Sequence, residues 1–545
     1  MIDTSPATKG ARKRRRIPLT VLITLTLWLI IQVTIRVWPE MDHALTNLVT
    51  VASTILMLLS LEIWLLLASG YSWRRRLAGG LLPLVLVIGF FSLVKVLSLD
   101  GELIPRLAWR WTPVHDTTLA PSERVTPAVN IDLLAESPVD FPGFLGPHRS
   151  ASIENILWNS GWQDQPAPKR LWTQPIGAGW SGFSARNGHA VTIQQRGDNE
   201  IISCHDIRTG EIVWTNSIQA RHETIFGGIG PRSTPTIAEG RIYCLGATGI
   251  LHCLDGSNGS LLWEKDLLAL TGSTPAEDIK TIAWGRSNSP LVVDDLVIIP
   301  LGGPPAGPHV SLLALDAITG EQRWQSGNRQ ASYASPSLVE LDGEKQVVIV
   351  SADLVSGHRV ADGKQLWTYS WFGSSSGSAS VSQAATLGGN RLLLSKGYGV
   401  GAAVVEIRRE PGGDSTAGYQ VQEIWFNSQV LKTKFTNVAV KDGFAYGLSD
   451  GILECVDLSS GDRRWKKGRL GHGQLLRLAD VLVVLAENGM VWQIAADPEA
   501  FRVLGKFQAV EGKCWATLCL YDNLLLVRAE ETAACYELPL TRPSR

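Results

Sequence analysis

The chain has 545 residues, of which 45% are hydrophobic and 19% charged, and its formal net charge is −1 at pH 7. This composition excludes a disordered chain and one embedded entirely in a membrane, and the charge gives no reason to expect nucleic acid as a partner. The charge is unevenly divided, because residues 1–111 hold 13 Lys or Arg against 6 Asp or Glu. The counts of 53 Gly and 20 Trp suggest a structural repeat that combines tight turns with large side chains docked on neighbouring structure.

Three apolar runs follow a basic N-terminus at residues 1–16, and we expect each run to cross a membrane. They cover about residues 17–37, 44–69 and 77–99. A helix of about 20 apolar residues spans the hydrocarbon core of a bilayer. The first run has no small-residue cleavage site at its end, so it is predicted to be a retained span and not a signal peptide. Residues 17–111 are therefore predicted to form a three-helix membrane region.

The basic residues predict the orientation of these spans. Arg74–Arg76 lie between the second and third spans, whereas the loop at 39–43 has no Lys or Arg. Because positively charged loops stay in the cytoplasm, the chain after Leu99 is predicted to be periplasmic, and the protein to be a multi-pass protein of the inner membrane. Glu62 and Lys95 fall inside these spans. We interpret them as a helix contact and a snorkelling side chain, with a proton or quinone site as the alternative.

A Pro-rich segment at 112–140 is predicted to be an extended linker. Beyond it, over residues 141–540, a pattern recurs in which Asp, Gly and Trp follow one another at intervals of four. The four complete copies are Asp206, Gly210 and Trp214; Asp255, Gly259 and Trp263; Asp316, Gly320 and Trp324; and Asp457, Gly461 and Trp465. A fifth copy, Gly363 and Trp367, has Arg359 in the place of Asp.

The residue types of this pattern suit a turn between two strands. Asp can bond the backbone of a tight turn, Gly supplies a positive φ, and Trp places a large flat side chain on the next strand. Weaker copies at Trp172, Trp425 and Phe507 extend the series to eight. With room for four short strands per repeat, the sequence predicts an all-β fold, an eight-bladed β-propeller. The last strand, at 534–538, is predicted to close the ring beside Trp172.

These spaced copies resemble the tryptophan-docking motif of the PQQ-like repeat, first described in quinoprotein dehydrogenases. The resemblance covers roughly residues 140–540 and implies that each Trp ring packs between neighbouring blades. It does not imply one function, because propellers of one fold serve different functions. Two groups of relatives matter here, namely the PQQ-dependent dehydrogenases and BamB, the propeller lipoprotein of the outer-membrane β-barrel assembly machinery.

Two functions from different classes follow from this resemblance. Dehydrogenases of the family hold PQQ against a Trp and, in many members, a disulfide of adjacent cysteines, with Glu, Asn and Asp around Ca²⁺ and an Asp base. This chain has no Cys-Cys pair and no motif that matches the calcium ligands. We therefore predict no catalytic residue, no metal and no cofactor.

The favoured function is a non-catalytic interaction or scaffold module of the cell envelope, similar to BamB and with envelope proteins as partners. Unlike that lipoprotein, the chain has no Cys before Cys204 and so no lipobox. The alternative is a membrane-bound dehydrogenase that oxidises an alcohol or sugar with PQQ and calcium.

Residues that precede the innermost strand of each blade are expected to surround a central funnel. The aromatic and basic side chains predicted there are Trp180, Arg232, Arg286, Tyr333, Lys434, His472 and Trp515. Such groups can bind an anionic or sugar-like ligand or a peptide, or they can simply pack the funnel. The seven cysteines are predicted to be buried strand residues, with disulfides at 244–253 and 514–519 as the alternative.

Overall fold

The computed structural model of the protein describes residues 19–38, 43–119, 130–158, 167–375, 377–410 and 418–541. The predicted basic N-terminus lies outside the described residues. The chain divides into two compact units. One comprises the chain up to Val96 together with Glu102–Arg110, and the other comprises Leu97–Gly101 and the chain from Trp111 onward.

The first unit contains three helices, each long and apolar enough to cross a membrane: α1 (Leu19–Val37), α2 (His43–Leu67) and α3 (Trp73–Leu93). Two side-chain hydrogen bonds join α1 to α2, from Trp28 Nε1 to Thr54 Oγ1 at 3.1 Å and from Gln32 Nε2 to Ser53 Oγ at 2.8 Å. These bonds provide partners for polar side chains that could not form hydrogen bonds with lipid chains. Within α2, the Glu62 carboxylate faces α3 at Gly80, where a Cβ would lie 2.7 Å from Glu62 Oε1.

The third apolar run is helical only as far as Leu93, although we expected a span to residue 99. Val94–Leu99 is a strand that pairs with a second strand, Pro105–Trp109. Val94 and Val96 are β-branched and favour extended backbone, and the neighbouring strand supplies the hydrogen bonds that a helix would otherwise make internally.

The segment predicted as a linker is partly packed against the propeller. A short helix, α4 (His115–Thr118), is followed by residues 120–129, which lie outside the described part, and then by a stretch that docks. Leu133 is only 2% exposed and joins a hydrophobic cluster. Arg186 pairs with Glu136 at 3.0 Å and with Asp140 at 3.2 Å. An apolar side chain and two carboxylates thus anchor a sequence whose proline content suggested only an extended tether.

Eight antiparallel four-stranded sheets form the second unit, and we number these blades in chain order. The strands of blades 1 to 4 are Ser184–Arg186, His189–Arg196, Asn199–Asp206 and Ile212–Gln219; Thr236–Ala238, Arg241–Leu245, Ile250–Asp255 and Leu261–Asp266; Leu291–Val293, Leu296–Gly302, Val310–Asp316 and Gln322–Ser326; and Ser337–Leu341, Glu344–Val350, Leu354–Arg359 and Gln365–Ser370. Between blades 2 and 3 lie two short helices, α5 (Leu267–Thr271) and α6 (Pro275–Thr281).

The strands of blades 5 to 8 are Ala385–Gly388, Arg391–Lys396, Gly401–Arg409 and Tyr419–Asn427; Ala439–Lys441, Phe444–Ser449, Ile452–Asp457 and Arg463–Arg469; Gln474–Leu478, Val481–Leu485, Met490–Ala495 and Val503–Gln508; and Cys519–Tyr521, Leu524–Arg528, Thr532–Glu537 and Lys169–Pro175. The eight-bladed prediction is confirmed. First strands of neighbouring blades contact one another from blade 8 through blades 1, 2, 3 and 4, and between blades 6 and 7, so they surround the axis.

Blade 8 closes the ring with strands from both ends of the propeller sequence. Its fourth strand, Lys169–Pro175, pairs with Thr532–Glu537, and Trp172 lies opposite Cys535. The closure predicted beside Trp172 is confirmed. Ser152–Ile153 adds a fifth, parallel strand to blade 7. Two smaller pairs join Leu157–Trp158 to Leu540–Thr541 and Glu223–Thr224 to Gly228–Ile229. All seven cysteines are buried and free.

The recurrent tryptophans join each blade to the next. In six blades the indole Nε1 donates to a backbone carbonyl of the following blade at 2.8 to 3.2 Å. The pairs are Trp172 with Ile207, Trp214 with Gly256, Trp263 with Ala317, Trp324 with Val360, Trp425 with Leu458, and Trp465 with Asp497. The motif Asp caps its own turn, as at Asp206, whose Oδ1 accepts from the N–H groups of Arg208 and Thr209 at 2.9 and 2.8 Å.

The motif Gly is required for two reasons. Its φ lies between 71° and 77°, and it supports the Trp ring of the preceding blade, because a Cβ there would approach that ring within 2.4 to 2.8 Å. The Gly–Trp pairs are Gly210 with Trp172, Gly259 with Trp214, Gly320 with Trp263, Gly363 with Trp324, and Gly461 with Trp425.

Trp367 departs from this pattern, since its Nε1 donates to Gln346 Oε1 of its own blade at 2.7 Å. In the next blade, the sequence before Trp425 lacks Asp and Gly at the motif spacing.

Candidate functional site

A cavity of about 110 Å³ lies at the propeller axis, among the loops that lead into the first strands. Seven of its lining residues are aromatic: Phe144, Trp180, Trp284, Tyr333, Tyr398, Phe435 and Trp515. The others are Arg232, Thr234, Ser287, Ala379, Val381, Asn437, Gln474 and Thr517. This lining therefore contains one cation, two amides and several hydroxyl groups, and it contains no Asp or Glu.

Four of the seven predicted funnel residues are in this lining, namely Trp180, Arg232, Tyr333 and Trp515. The Arg232 guanidinium lies 4.9 Å from the centre of the Trp180 ring and donates to the carbonyls of Gly227 and Gly230, the second at 2.7 Å. Burial lowers the pKa of Arg232 to about 10, which leaves it cationic at neutral pH. A fixed cation on an aromatic face is a site for anionic or polar acceptors.

The two tryptophans form the centre of the aromatic group. Their rings lie 4.8 Å apart and are tilted by 39°, and Phe435 lies 5.1 Å from Trp515. Trp515 Nε1 donates to Glu487 at 2.8 Å, whereas Trp180 Nε1 is buried and has no hydrogen-bond partner among the described residues. The ammonium of Lys513 lies 4.5 Å from the Trp515 ring. The site thus holds one indole donor that a ligand or partner could satisfy.

Tyr333 lies on another side of the cavity, with its ring 5.5 Å from Trp284 in an edge-on contact. Burial raises the pKa of Tyr333 well above its ordinary value, so the phenol stays neutral. It is held in place by the backbone N–H of Trp284, which lies 3.4 Å from its hydroxyl.

The other three predicted funnel residues lie outside the lining. Arg286 is 1% exposed, pairs with Asp278 at 2.8 Å and donates to the Leu301 carbonyl at 2.8 Å. Lys434 is buried, with its ammonium 5.7 Å from the Tyr398 ring. His472 is buried and lies 5.4 Å from Phe435, edge on. Arg286 in particular is a structural cation, because its charge is already paired.

Two carboxylates near the cavity accept hydrogen bonds from the protein itself, although Glu200 Oε2 is buried with no partner among the described residues. Glu487 accepts from Trp515 Nε1 and from the backbone N–H of His472. Glu200 accepts from the N–H of Ala247 at 3.0 Å, and burial raises its pKa to about 7. In the part of the chain that the structure describes, no group of three or more His, Cys, Asp or Glu side chains is arranged to hold a metal ion.

Sequence reasoning missed Trp284, Tyr398, Phe435 and Phe144. Phe435 directly follows the predicted Lys434, and Trp284 precedes the predicted Arg286 by two residues. The loops before each first strand were located, but sequence alone did not show which of two neighbouring side chains faces the axis. Phe144 belongs to a stretch outside the repeats, so no periodic signal marked it.

The comparisons with known proteins agree with this architecture. The family profile described as outer membrane protein assembly factor BamB matches residues 198–467. A europium-containing methanol dehydrogenase is 11% identical with a TM-score of 0.54, over 73% of this chain and 90% of that chain. BamB from Moraxella catarrhalis is 15% identical with a TM-score of 0.46, over 68% and 100%.

The quinohemoprotein alcohol dehydrogenase ADHIIG from Pseudomonas putida HK5 is 11% identical with a TM-score of 0.49, over 75% of this chain and 81% of that chain. No curated protein matches the sequence. The predicted resemblance to PQQ-like, BamB-like repeat proteins is confirmed. At 11% identity, the methanol dehydrogenase, with its TM-score of 0.54, establishes a shared fold alone.

Proposed function

We propose that this protein is a non-catalytic interaction module of the cell envelope, in which three membrane helices hold a BamB-like propeller on the periplasmic side of the inner membrane. Arg74–Arg76 in the first turn of α3 support this orientation, because positively charged segments favour the cytoplasmic side. The match to the assembly-factor family over residues 198–467 supports an interaction role.

The chemistry of the axial cavity carries this proposal. Catalysis by a quinoprotein needs a carboxylate base and carboxylate ligands for a metal ion, and the lining contains neither Asp nor Glu. The lining contains Arg232, amides, hydroxyls and seven aromatic rings. Such side chains bind a group on the surface of a partner protein, and they include no base that would activate a substrate.

The size of the cavity supports the same conclusion. An engineered cavity of about 150 Å³ in another protein holds one benzene molecule. The axial cavity measures about 110 Å³, which suits a single side chain of a partner. A tricyclic quinone stacked on Trp180, together with a metal ion and a substrate, needs more space and different ligands. The residues present therefore do not fit PQQ and calcium.

A cofactor-loading experiment separates the two functions. Full-length protein, solubilised in detergent, is incubated with PQQ and Ca²⁺, and bound quinone is measured by absorbance after gel filtration. We expect no stoichiometric binding and no dye-linked oxidation of alcohols or sugars. Stoichiometric PQQ with turnover of either substrate class would replace the proposal with the dehydrogenase alternative.

Partner capture tests the interaction role directly. Wild-type protein and the Trp180→Phe variant are cross-linked in native membranes and purified, and the co-purified envelope proteins are quantified. The variant removes the buried indole N–H that lacks a partner and reduces the ring that contacts Arg232 and Trp515, so we expect a lower yield of a specific envelope protein. The matched control is Trp492→Phe in blade 7, outside the cavity lining. Equal yields from both variants would contradict a role for the axial cavity.

A further inference from the structure

A second cavity, of about 230 Å³, lies between residues 145–154 and the inner edges of blades 4 to 7. Its walls are held by backbone hydrogen bonds. Ser152 pairs in parallel with Arg477, and the Arg477 N–H donates to the Ala151 carbonyl at 2.8 Å. The cavity is therefore preformed by the fold, as binding sites usually are.

Arg149 brings a cation without a counter-ion to this cavity. Its guanidinium donates to two neutral carbonyls, those of Pro290 at 3.0 Å and Ser289 at 3.1 Å. Its Nε is buried without a hydrogen-bond partner, and no carboxylate of the described chain lies within ion-pair distance of it. Burial alone lowers the pKa of Arg149, to about 10. A desolvated cation in this state is costly unless an anion joins it.

Gln383 presents an acceptor beside this cation. Its Nε2 donates to the carbonyl oxygen of Arg149 itself, which fixes the orientation of the amide, because the flipped amide would face oxygen with oxygen. Gln383 is 7% exposed, and its Oε1 is buried with no partner among the described residues. This oxygen lacks a donor, just as Arg149 lacks an anion.

The second arginine of the cavity does not supply a further free charge. Arg477 is 5% exposed and forms a two-pronged ion pair with Glu154, one contact of which measures 3.2 Å. These two charges cancel, so Arg149 supplies the one permanent positive charge of the lining that is not paired.

We propose that this cavity binds a carboxylate ligand with an N–H donor next to the carboxylate, as in an N-acylated amino acid or the C-terminal residue of a peptide. The carboxylate pairs with the Arg149 guanidinium, and the adjacent N–H donates to Gln383 Oε1. Inorganic phosphate satisfies the cation without supplying the N–H. Asn437 lines both cavities, but Arg149 and Gln383 do not line the axial cavity, so the inference does not depend on the proposed interaction role.

Isothermal titration calorimetry on the full-length protein in detergent tests the site. The probes are N-acetylglycine, N-acetylglycinamide, inorganic phosphate, and one short peptide with a free or an amidated C-terminus. We expect saturable binding of N-acetylglycine at one site per chain, and binding weaker by about tenfold or more for phosphate and for both amides. Tighter binding of the free peptide assigns the site to a partner's C-terminus, and preference for N-acetylglycine assigns it to a small molecule. Both results uphold the proposal.

Variants locate the bound ligand. Gln383→Leu removes the acceptor and Arg149→Gln removes the cation, and each is expected to weaken N-acetylglycine binding by about tenfold. Arg408→Gln is the matched control, because Arg408 is an exposed cation paired with Glu406 in blade 5. Thermal midpoints report folding, and if Arg149→Gln does not fold, Gln383→Leu decides. No saturable binding to wild type, equal binding of the acid and its amide, or unchanged binding in folded Gln383→Leu overturns the proposal.

Discussion

The turn glycine beneath each docked tryptophan offers a sharp test of how the ring of blades is held. Gly259→Ala adds a Cβ that would lie 2.4 Å from Cε3 of Trp214, at a backbone φ of 72°. Trp214 has no room to retreat, since it is fully buried and its Nε1 is bonded to Gly256. We therefore expect two separate costs, one from the backbone and one from the clash.

The two costs can be estimated separately. A non-glycine residue in the left-handed region costs about 1 to 2 kcal/mol. Forcing an extra carbon into a well-packed contact costs about 1 to 3 kcal/mol more. Gly259→Ala should therefore lower the apparent free energy of unfolding by about 2 to 5 kcal/mol. Gly343→Ala is the matched control, because its φ is 71° and its Cβ would meet open space, so only the backbone cost applies.

The assay is denaturant unfolding of the full-length protein in detergent, followed by tryptophan fluorescence, for wild type and both variants. We expect Gly259→Ala to lose at least about 1 kcal/mol more than Gly343→Ala. Adding Trp214→Phe to Gly259→Ala should relieve part of the clash, so the losses in the free energy of unfolding from the two substitutions should not be additive. If Gly259→Ala costs no more than Gly343→Ala, the docking explanation of this glycine is refuted.

Three further predictions concern charge and polar burial. Burial lowers the pKa of His205 and of His358 to about 4. Above the ordinary pKa of about 6.5 both imidazoles are neutral in the folded and the unfolded chain, and as the pH falls toward 4 only the unfolded chain gains their protons, so each should lower the free energy of unfolding by about 2 kcal/mol at pH 5. A double Asn variant that keeps the wild-type slope of stability against pH would contradict this. Arg286→Ala leaves the Asp278 carboxylate buried and unpaired and should cost about 3 to 5 kcal/mol by thermal or denaturant unfolding, with Asp278→Asn restoring part of the loss; a cost below about 1 kcal/mol would show that the pair is not structural. Trp180→Phe removes a buried donor that has no partner but also part of a buried ring that contacts Arg232 and Trp515, so its cost by thermal or denaturant unfolding should stay below about 3 to 5 kcal/mol, the range of a large-to-small core substitution, and a cost in that range would indicate a bond that the structure lacks.

The fold was accessible from sequence because its repeated contact imposes residue types at fixed intervals. Each turn needs a side-chain acceptor such as Asp206, a left-handed residue with no Cβ, and an indole that reaches the next blade. Those demands repeat around the ring and stand out against composition. The copy with Arg359 instead of Asp still forms its turn, because the neighbouring Asp362 accepts from the Lys364 N–H at 2.9 Å.

The site was less accessible, since nothing periodic governs the axis. The prediction selected Lys434 where Phe435 lines the cavity, and Arg286 where Trp284 and Ser287 do. In a loop that enters a strand, the side chains of neighbouring residues point in different directions. A prediction that is wrong by one residue therefore selects a buried side chain in place of the one that lines the cavity. Arg286 also had a partner, Asp278 in α6, that only the folded chain brings near.

The contacts that join the blades repeat around the ring, whereas the residues at the axis do not. This difference explains why the fold alone does not determine the function of such a protein. Blade-to-blade attachment is made by the docked indoles, as when Trp324 bonds the Val360 carbonyl of the next blade. Because stability in repeat proteins is largely a sum of nearest-neighbour interfaces, loops at the axis can change without opening the ring. The same ring of blades can therefore hold carboxylates and a cofactor at the axis of one protein, and aromatic side chains around an arginine, here Arg232, at the axis of another. For this chain, we propose that the residues at the axis and those of the Arg149 cavity determine what it binds.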